Sequence, residues 1–130
     1  MQQVIKKMEH QPKTILIAED EERINNLICA RLKLEGYLVI QTFDGKEALQ
    51  ELLQGKADLA LLNMMMPHLD GAQILKRIKK AGMELPVIIF SVRNRESDLR
   101  MCMYLGARDY MIKPFELDDL VTRIKKLIGE

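Results

Sequence analysis

Short apolar runs alternate along the chain with segments whose apolar positions recur at helical spacing. Thr14-Ile15-Leu16-Ile17-Ala18 is too short for a helix and rich in β-branched residues, which predicts a buried strand. From about Glu21 to Glu35, Ile24, Leu27, Ile28, Arg31, Leu32 and Leu34 follow helical spacing, and Gly36 supplies the stop. Leu38 to Thr42 reads as a second strand. Asp44-Gly45 turns the chain, and Ala48, Leu49, Leu52 and Leu53 mark a helix closed by Gly55. Leu59 to Leu62 is a wholly apolar third strand. Asp70 is placed to N-cap a helix that turns Ile74, Leu75 and Ile78 inward. Pro86 to Phe90 predicts a fourth strand, Ser97 to Leu105 a helix ended by Gly106, and Tyr110 to Ile112 a fifth strand. Leu117, Leu120, Val121, Ile124, Leu127 and Ile128 outline a last helix.

Five strands thus alternate with five helices. Strands that are apolar on both faces belong in a parallel sheet covered on both sides, an α/β architecture of three layers. Right-handed crossovers restrict the topology to a doubly wound sheet. Residues 13–129 are expected to form one domain, and residues 1–12 an extension or tail with no evident fold role.

A length of 130 residues fits a single core, and 48% hydrophobic with 30% charged residues is an ordinary globular balance. The net charge of +1 and the lack of a helix-turn-helix pattern argue against direct nucleic-acid binding. No apolar run approaches the ~20 residues needed to cross a bilayer. The first ten residues do not resemble a secretory signal, so a cytoplasmic location is expected. Cys29 and Cys102 fall on different predicted helices without CxxC spacing and read as reduced, half-buried thiols. His10 and His68 are not paired into a site.

In open parallel sheets, chemistry collects at the C-terminal strand ends. Those ends carry Glu19-Asp20, Asn63, Ser91 and Lys113. Two adjacent carboxylates repel unless a cation or lysine offsets them, and a hydroxyl can bond an oxyanion. Each feature has a plainer reading. An acidic pair favours a helix N-terminus, Lys-Pro is a common turn, and Met64-Met65-Met66 can be adaptable packing. An enzyme of this fold is poorly supported, because Ala18-Glu19-Asp20-Glu21-Glu22 lacks the glycines of a phosphate loop and is acidic.

Taken together, four segments resemble the receiver domains of two-component response regulators, which share the flavodoxin-like architecture. They are Ile15-Leu16-Ile17-Ala18-Glu19-Asp20-Glu21, Asn63-Met64-Met65-Met66-Pro67-His68-Leu69-Asp70-Gly71, Pro86-Val87-Ile88-Ile89-Phe90-Ser91, and Gly106-Ala107-Arg108-Asp109-Tyr110-Met111-Ile112-Lys113-Pro114-Phe115. The resemblance implies that Glu19 and Asp20 are the acidic pair of a Mg²⁺ site. Asp20 would be a direct ligand and the Met65 backbone carbonyl another. It makes Ser91 the switch hydroxyl, Tyr110 the switch aromatic, and Lys113 the phosphate-contacting lysine before a cis-type turn at Pro114. Asn63 falls where the family has its phosphoacceptor aspartate.

An amide is a poor nucleophile toward phosphorus, and it removes a charge from the metal site. A weakened Mg²⁺ site and a non-phosphorylatable receiver are therefore expected. Two origins fit Asn63: a naturally degenerate receiver, or an Asp→Asn change in an active one. Val92, after Ser91, stands where the family usually has a small residue and is expected to narrow access. The implied partners are a sensor histidine kinase or another signalling protein, reached through the last helix-strand-helix face. Homodimerisation through that face would use Arg93, Asp109 and Arg123, but Arg108 does not suit it. An effector domain is not expected within these residues. The competing functions are a phosphorylation-independent binding module and, with less support, a flavodoxin-like enzyme binding a small molecule.

Overall fold

The computed structural model describes residues 11–130. Residues 1–10, which include His10 and most of the expected extension, lie outside them. Its strands are β1 (Thr14–Ala18), β2 (Leu38–Thr42), β3 (Leu59–Asn63), β4 (Val87–Ser91) and β5 (Asp109–Ile112). The helices between and after them are α1 (Glu22–Leu34), α2 (Gly45–Leu52), α3 (Gly71–Lys80), α4 (Glu96–Tyr104) and α5 (Leu117–Ile128). All strand pairs are parallel, in the order β2-β1-β3-β4-β5. The three-layer, doubly wound architecture read from the alternation is the one observed.

The period-two geometry of a strand sorts its side chains onto two cores. Ile15, Ile17, Leu59, Leu61, Ile88 and Phe90 face α1 and α5, meeting Ile28, Leu32, Leu120 and Ile124. Leu16, Ala18, Ala60, Leu62 and Ile89 face the opposite way, onto Ala48, Leu52, Ile74, Ile78 and Cys102. β1, β3 and β4 are buried along almost their whole length. β2 is an edge strand, with Leu38 56% exposed.

Not every apolar position at helical spacing faces the core. Leu27, Leu34 and Leu53 face solvent, whereas the polar Asn25 is fully buried on the inner face of α1. The thiols of Cys29 and Cys102 are buried rather than half-buried.

Short side-chain caps start two of the helices. Asp44 accepts from the Glu47 amide at 2.8 Å, and Asp70 accepts from the Gln73 amide at 2.8 Å. The Asp70 cap ends the loop that leaves β3, so it helps to hold that loop in place. Asp70→Ala should lower unfolding free energy by about 1 kcal/mol, as loss of an N-cap acceptor does. A urea titration checks this, and an unchanged midpoint would show that the cap contributes nothing.

Candidate functional site

The winding of the sheet reverses at β1, which has β2 on one side and β3 on the other. A crevice therefore opens beyond the C-terminal ends of β1 and β3. Glu19 and Asp20 follow β1, Asn63 ends β3, Ser91 ends β4 and Lys113 follows β5. These five residues lie at one end of the sheet, whereas Arg108 and Asp109 stand at the opposite end, where β5 begins.

Asn63 is the centre of the arrangement. Its side-chain Nδ2 donates to Glu19 Oε2 at 3.0 Å, to Asp20 Oδ1 at 3.2 Å and to the Met65 carbonyl at 3.0 Å. The amide has two hydrogens for three acceptors, so one hydrogen is shared. The acceptors dictate this orientation, since the amide oxygen turned inward would face three other oxygens. Asn63 is 6% exposed; its bond to Glu19 is buried, and those to Asp20 and the Met65 carbonyl are partly so.

Glu19 is fully buried, which a carboxylate tolerates only with partners. Oε1 is paired with the Lys113 ammonium. Oε2 accepts from Asn63 and also from the Glu21 backbone amide at 3.1 Å. The Lys113 Nζ also stands 5.2 Å from the centre of the Phe90 ring, a favourable place for a cation. The Lys113-Pro114 peptide is cis, in accord with the turn expected there.

Asn25 is a residue that the sequence reading missed. Its Nδ2 donates to the Glu19 carbonyl at 3.0 Å and the Thr42 carbonyl at 2.8 Å. Its Oδ1 accepts from Gln41 at 2.9 Å. These bonds tie the end of β1 to the end of β2 and fix the backbone from which Glu19 projects. An asparagine between apolar positions on an inward helix face was the available signal.

On the other side of the crevice, Ser91 is fully buried, and its Oγ accepts from the Arg93 amide at 3.0 Å. The Tyr110 hydroxyl donates to the Arg93 carbonyl at 3.1 Å. Ser91 and Tyr110 are thus linked through the Arg93 backbone. Burial raises the Tyr110 phenol above its ordinary value, against a smaller opposing effect of the Ser91 hydroxyl, so at neutral pH it remains a donor.

The β3–α3 loop is held by close backbone approach. Gly71 donates its amide to the Met64 carbonyl at 2.9 Å, and a Cβ there would lie 3.1 Å from the Asn63 carbonyl. His68 adopts a left-handed φ of 71° in the same loop. Beneath it, Cys102 Sγ lies 3.8 Å from Met64 Sδ. Burial, with Asp98 and Asp70 nearby, pushes that thiol up to about 11, so it stays protonated at neutral pH.

Residues 15–125 match the family described as the response regulator receiver domain. The chain belongs to that family. It is 41% identical over 111 residues to the transcriptional regulatory protein DltR of Streptococcus agalactiae, covering 85% of this chain and 50% of that protein. It is 44% identical over 113 residues to the response regulator GtcR of Aneurinibacillus migulanus, covering 87% of this chain and 46% of that one. The chain therefore spans about half the length of these curated relatives. Among solved structures, the receiver domain of the Francisella response regulator 1452 superposes with a TM-score of 0.87 at 32% identity, over 90% of this chain and 97% of that one. TrrA of Thermotoga maritima, solved in complex with Mg²⁺-BeF, superposes with a TM-score of 0.79 at 32% identity, over 88% and 98% of the two chains.

Receiver domains typically bind Mg²⁺. The Glu19 and Asp20 carboxylates and the Met65 carbonyl are oxygen donors of the kind a hard cation takes. Yet Nδ2 of Asn63 lies within 3.2 Å of an oxygen from each of these three donors. A nitrogen that carries hydrogens is not a ligand, and it holds the position where the donors converge. The pocket as it stands does not fit the ion. Among the described residues, no group of three or more His, Cys, Asp or Glu side chains is arranged to hold a metal.

Val92 is 71% exposed and stands with Leu27, Lys113 and Phe115 on an open groove of about 440 Å³. The groove is lined by neither Asp20, Asn63 nor Ser91, so it is not the pocket whose access Val92 is expected to narrow.

Proposed function

We propose that this receiver works as a signalling module without phosphorylation, with Asn63 in the place of the phosphoacceptor aspartate. The observation that carries the reading is the Asn63 side chain itself. At the end of β3 it engages the acidic pair Glu19 and Asp20 through its amide nitrogen. The nitrogen lone pair is delocalised into the carbonyl, so neither end of the amide has the nucleophilicity of a carboxylate oxygen. Lys113, the phosphate-contacting lysine on this reading, is paired with Glu19.

The proposed switch elements are Ser91 and Tyr110, which meet at Arg93. Without a phosphoryl group, the conformational equilibrium shifts only by a partner's differential affinity for its two states. Contacts through α4, β5 and α5 fit that role. This face exposes Tyr104, Met103 and Ile112, and carries Arg123 paired with Asp109 at 2.8 Å and Asp119 at 3.1 Å. The partner is a signalling protein such as a histidine kinase, or an effector domain of the kind carried by longer relatives.

The test is incubation with a small-molecule phosphodonor and Mg²⁺, followed by intact mass. The expected result is no phosphoryl gain. An acid-labile or stable adduct localised to Asn63 or its pocket would sink the reading.

A further inference from the structure

We propose that the Asn63 side-chain amide substitutes for the divalent cation of this pocket and excludes one from it. An asparagine in a carboxylate site is otherwise read as a poor ligand, whose oxygen still faces the ion. Here the opposite end of the amide faces inward. Nδ2 donates to Glu19, Asp20 and the Met65 carbonyl, and these acceptors come from two different loops of the chain. A cation bound by the same oxygens would join the same loops. The amide does this with partial positive charge on its hydrogens. Lys113 supplies the remaining full charge by pairing with Glu19.

Charge and geometry agree on exclusion. Two carboxylates and one ammonium leave the group with a single net negative charge, a weak attraction for a divalent ion. To admit one, Asn63 would have to break its inward hydrogen bonds and rotate its oxygen into the site. A side chain 6% exposed has little water to receive those donors. The loop from β3 to α3 would thus be ordered at any Mg²⁺ concentration. The inference rests on the receiver reading of this pocket, but its test uses no phosphodonor, so the two fail separately.

Shortening the side chain separates a ligand from an occupant. If Asn63 is a weak ligand, Asn63→Ala should bind cations less well than the wild type. If it is the occupant, Asn63→Ala keeps Glu19, Asp20 and the Met65 carbonyl and vacates their centre. Affinity for Mn²⁺ or Mg²⁺ should then rise on the order of tenfold or more, the scale on which ligand number and charge tune such sites. Calorimetric titration with Mn²⁺, with folding checked by circular dichroism, gives the comparison. Saturable Mn²⁺ binding by the wild type that equals or exceeds that of Asn63→Ala would overturn the proposal. Should the variant not fold, the wild-type protein decides. Its Asn63 side-chain NH₂ resonances should be protected from exchange and escape paramagnetic broadening at millimolar Mn²⁺. Selective broadening of that pair would overturn the proposal.

Discussion

Asn63→Asp is expected to take up a single phosphoryl group from a small-molecule phosphodonor in the presence of Mg²⁺, where the parent protein is expected to take up none. The carboxylate has the charge and free lone pairs that the amide lacks. Around it, Lys113 and buried Ser91 stand at the same end of the sheet. The same change should make stability depend on the cation. The amide's hydrogen bonds to Glu19 and Asp20 become contacts between carboxylates, with contact distances of 3.0 and 3.2 Å in the parent. One of these partners is buried and the other exposed, so repulsion falls between the protein-surface and bulk-water limits. A loss on the order of 2 kcal/mol in the presence of chelator is expected. Millimolar Mg²⁺ should restore it, since a ligand that binds only the folded state stabilises that state. Intact mass follows the first effect, and denaturant titrations with and without Mg²⁺ follow the second. A folded Asn63→Asp protein that stays unmodified would place the defect elsewhere in the pocket, with the Ser91–Arg93 segment the next to examine.

Gly45→Ala should cost about 3 kcal/mol or more, near or beyond the upper end for overpacking a close contact. A Cβ on Gly45 would overlap the Leu69 carbonyl oxygen and stand 2.6 Å from its carbon. These are backbone atoms, so no rotamer change relieves the clash. The loop can retreat only by disturbing the left-handed His68, the Asp70 cap of α3 and the segment that presents the Met65 carbonyl to Asn63. The substitution therefore couples α2 to the site. Urea unfolding measures the loss, and the Asn63 side-chain amide resonances should shift in any fraction that remains folded. A loss under about 1 kcal/mol, within the range of an unremarkable substitution, would show that the loop yields freely.

The elements were legible because their signals are local. Strands such as Leu59–Leu62 are apolar throughout, and helices such as α3 and α5 repeat their apolar positions with a clear period. The inward face was less legible where the period was ambiguous. In α1, Leu27 and Leu34 match helical spacing as well as Ile28 and Leu32 do, but only the latter pair meets the sheet. Asn25 was overlooked because a polar residue on an inner face makes sense only once its partners are known. Those are the carbonyls at the ends of two different strands.

By itself, the order of strands, helices and turn residues determined the doubly wound sheet, since parallel strands with right-handed crossovers leave few arrangements. It also determined that Glu19, Asp20, Asn63, Ser91 and Lys113 gather at one end, because each follows or ends a strand running the same way. Only the tertiary structure decided which end of the Asn63 amide faces inward. That choice depends on acceptors contributed by residues far apart in the chain and by a backbone carbonyl in the next loop. Likewise, the clash that forbids a side chain at Gly45 arises from a loop more than twenty residues away. Local pattern names the residues that reach a site, whereas hydrogen-bond direction and steric contact are properties of their partners in space.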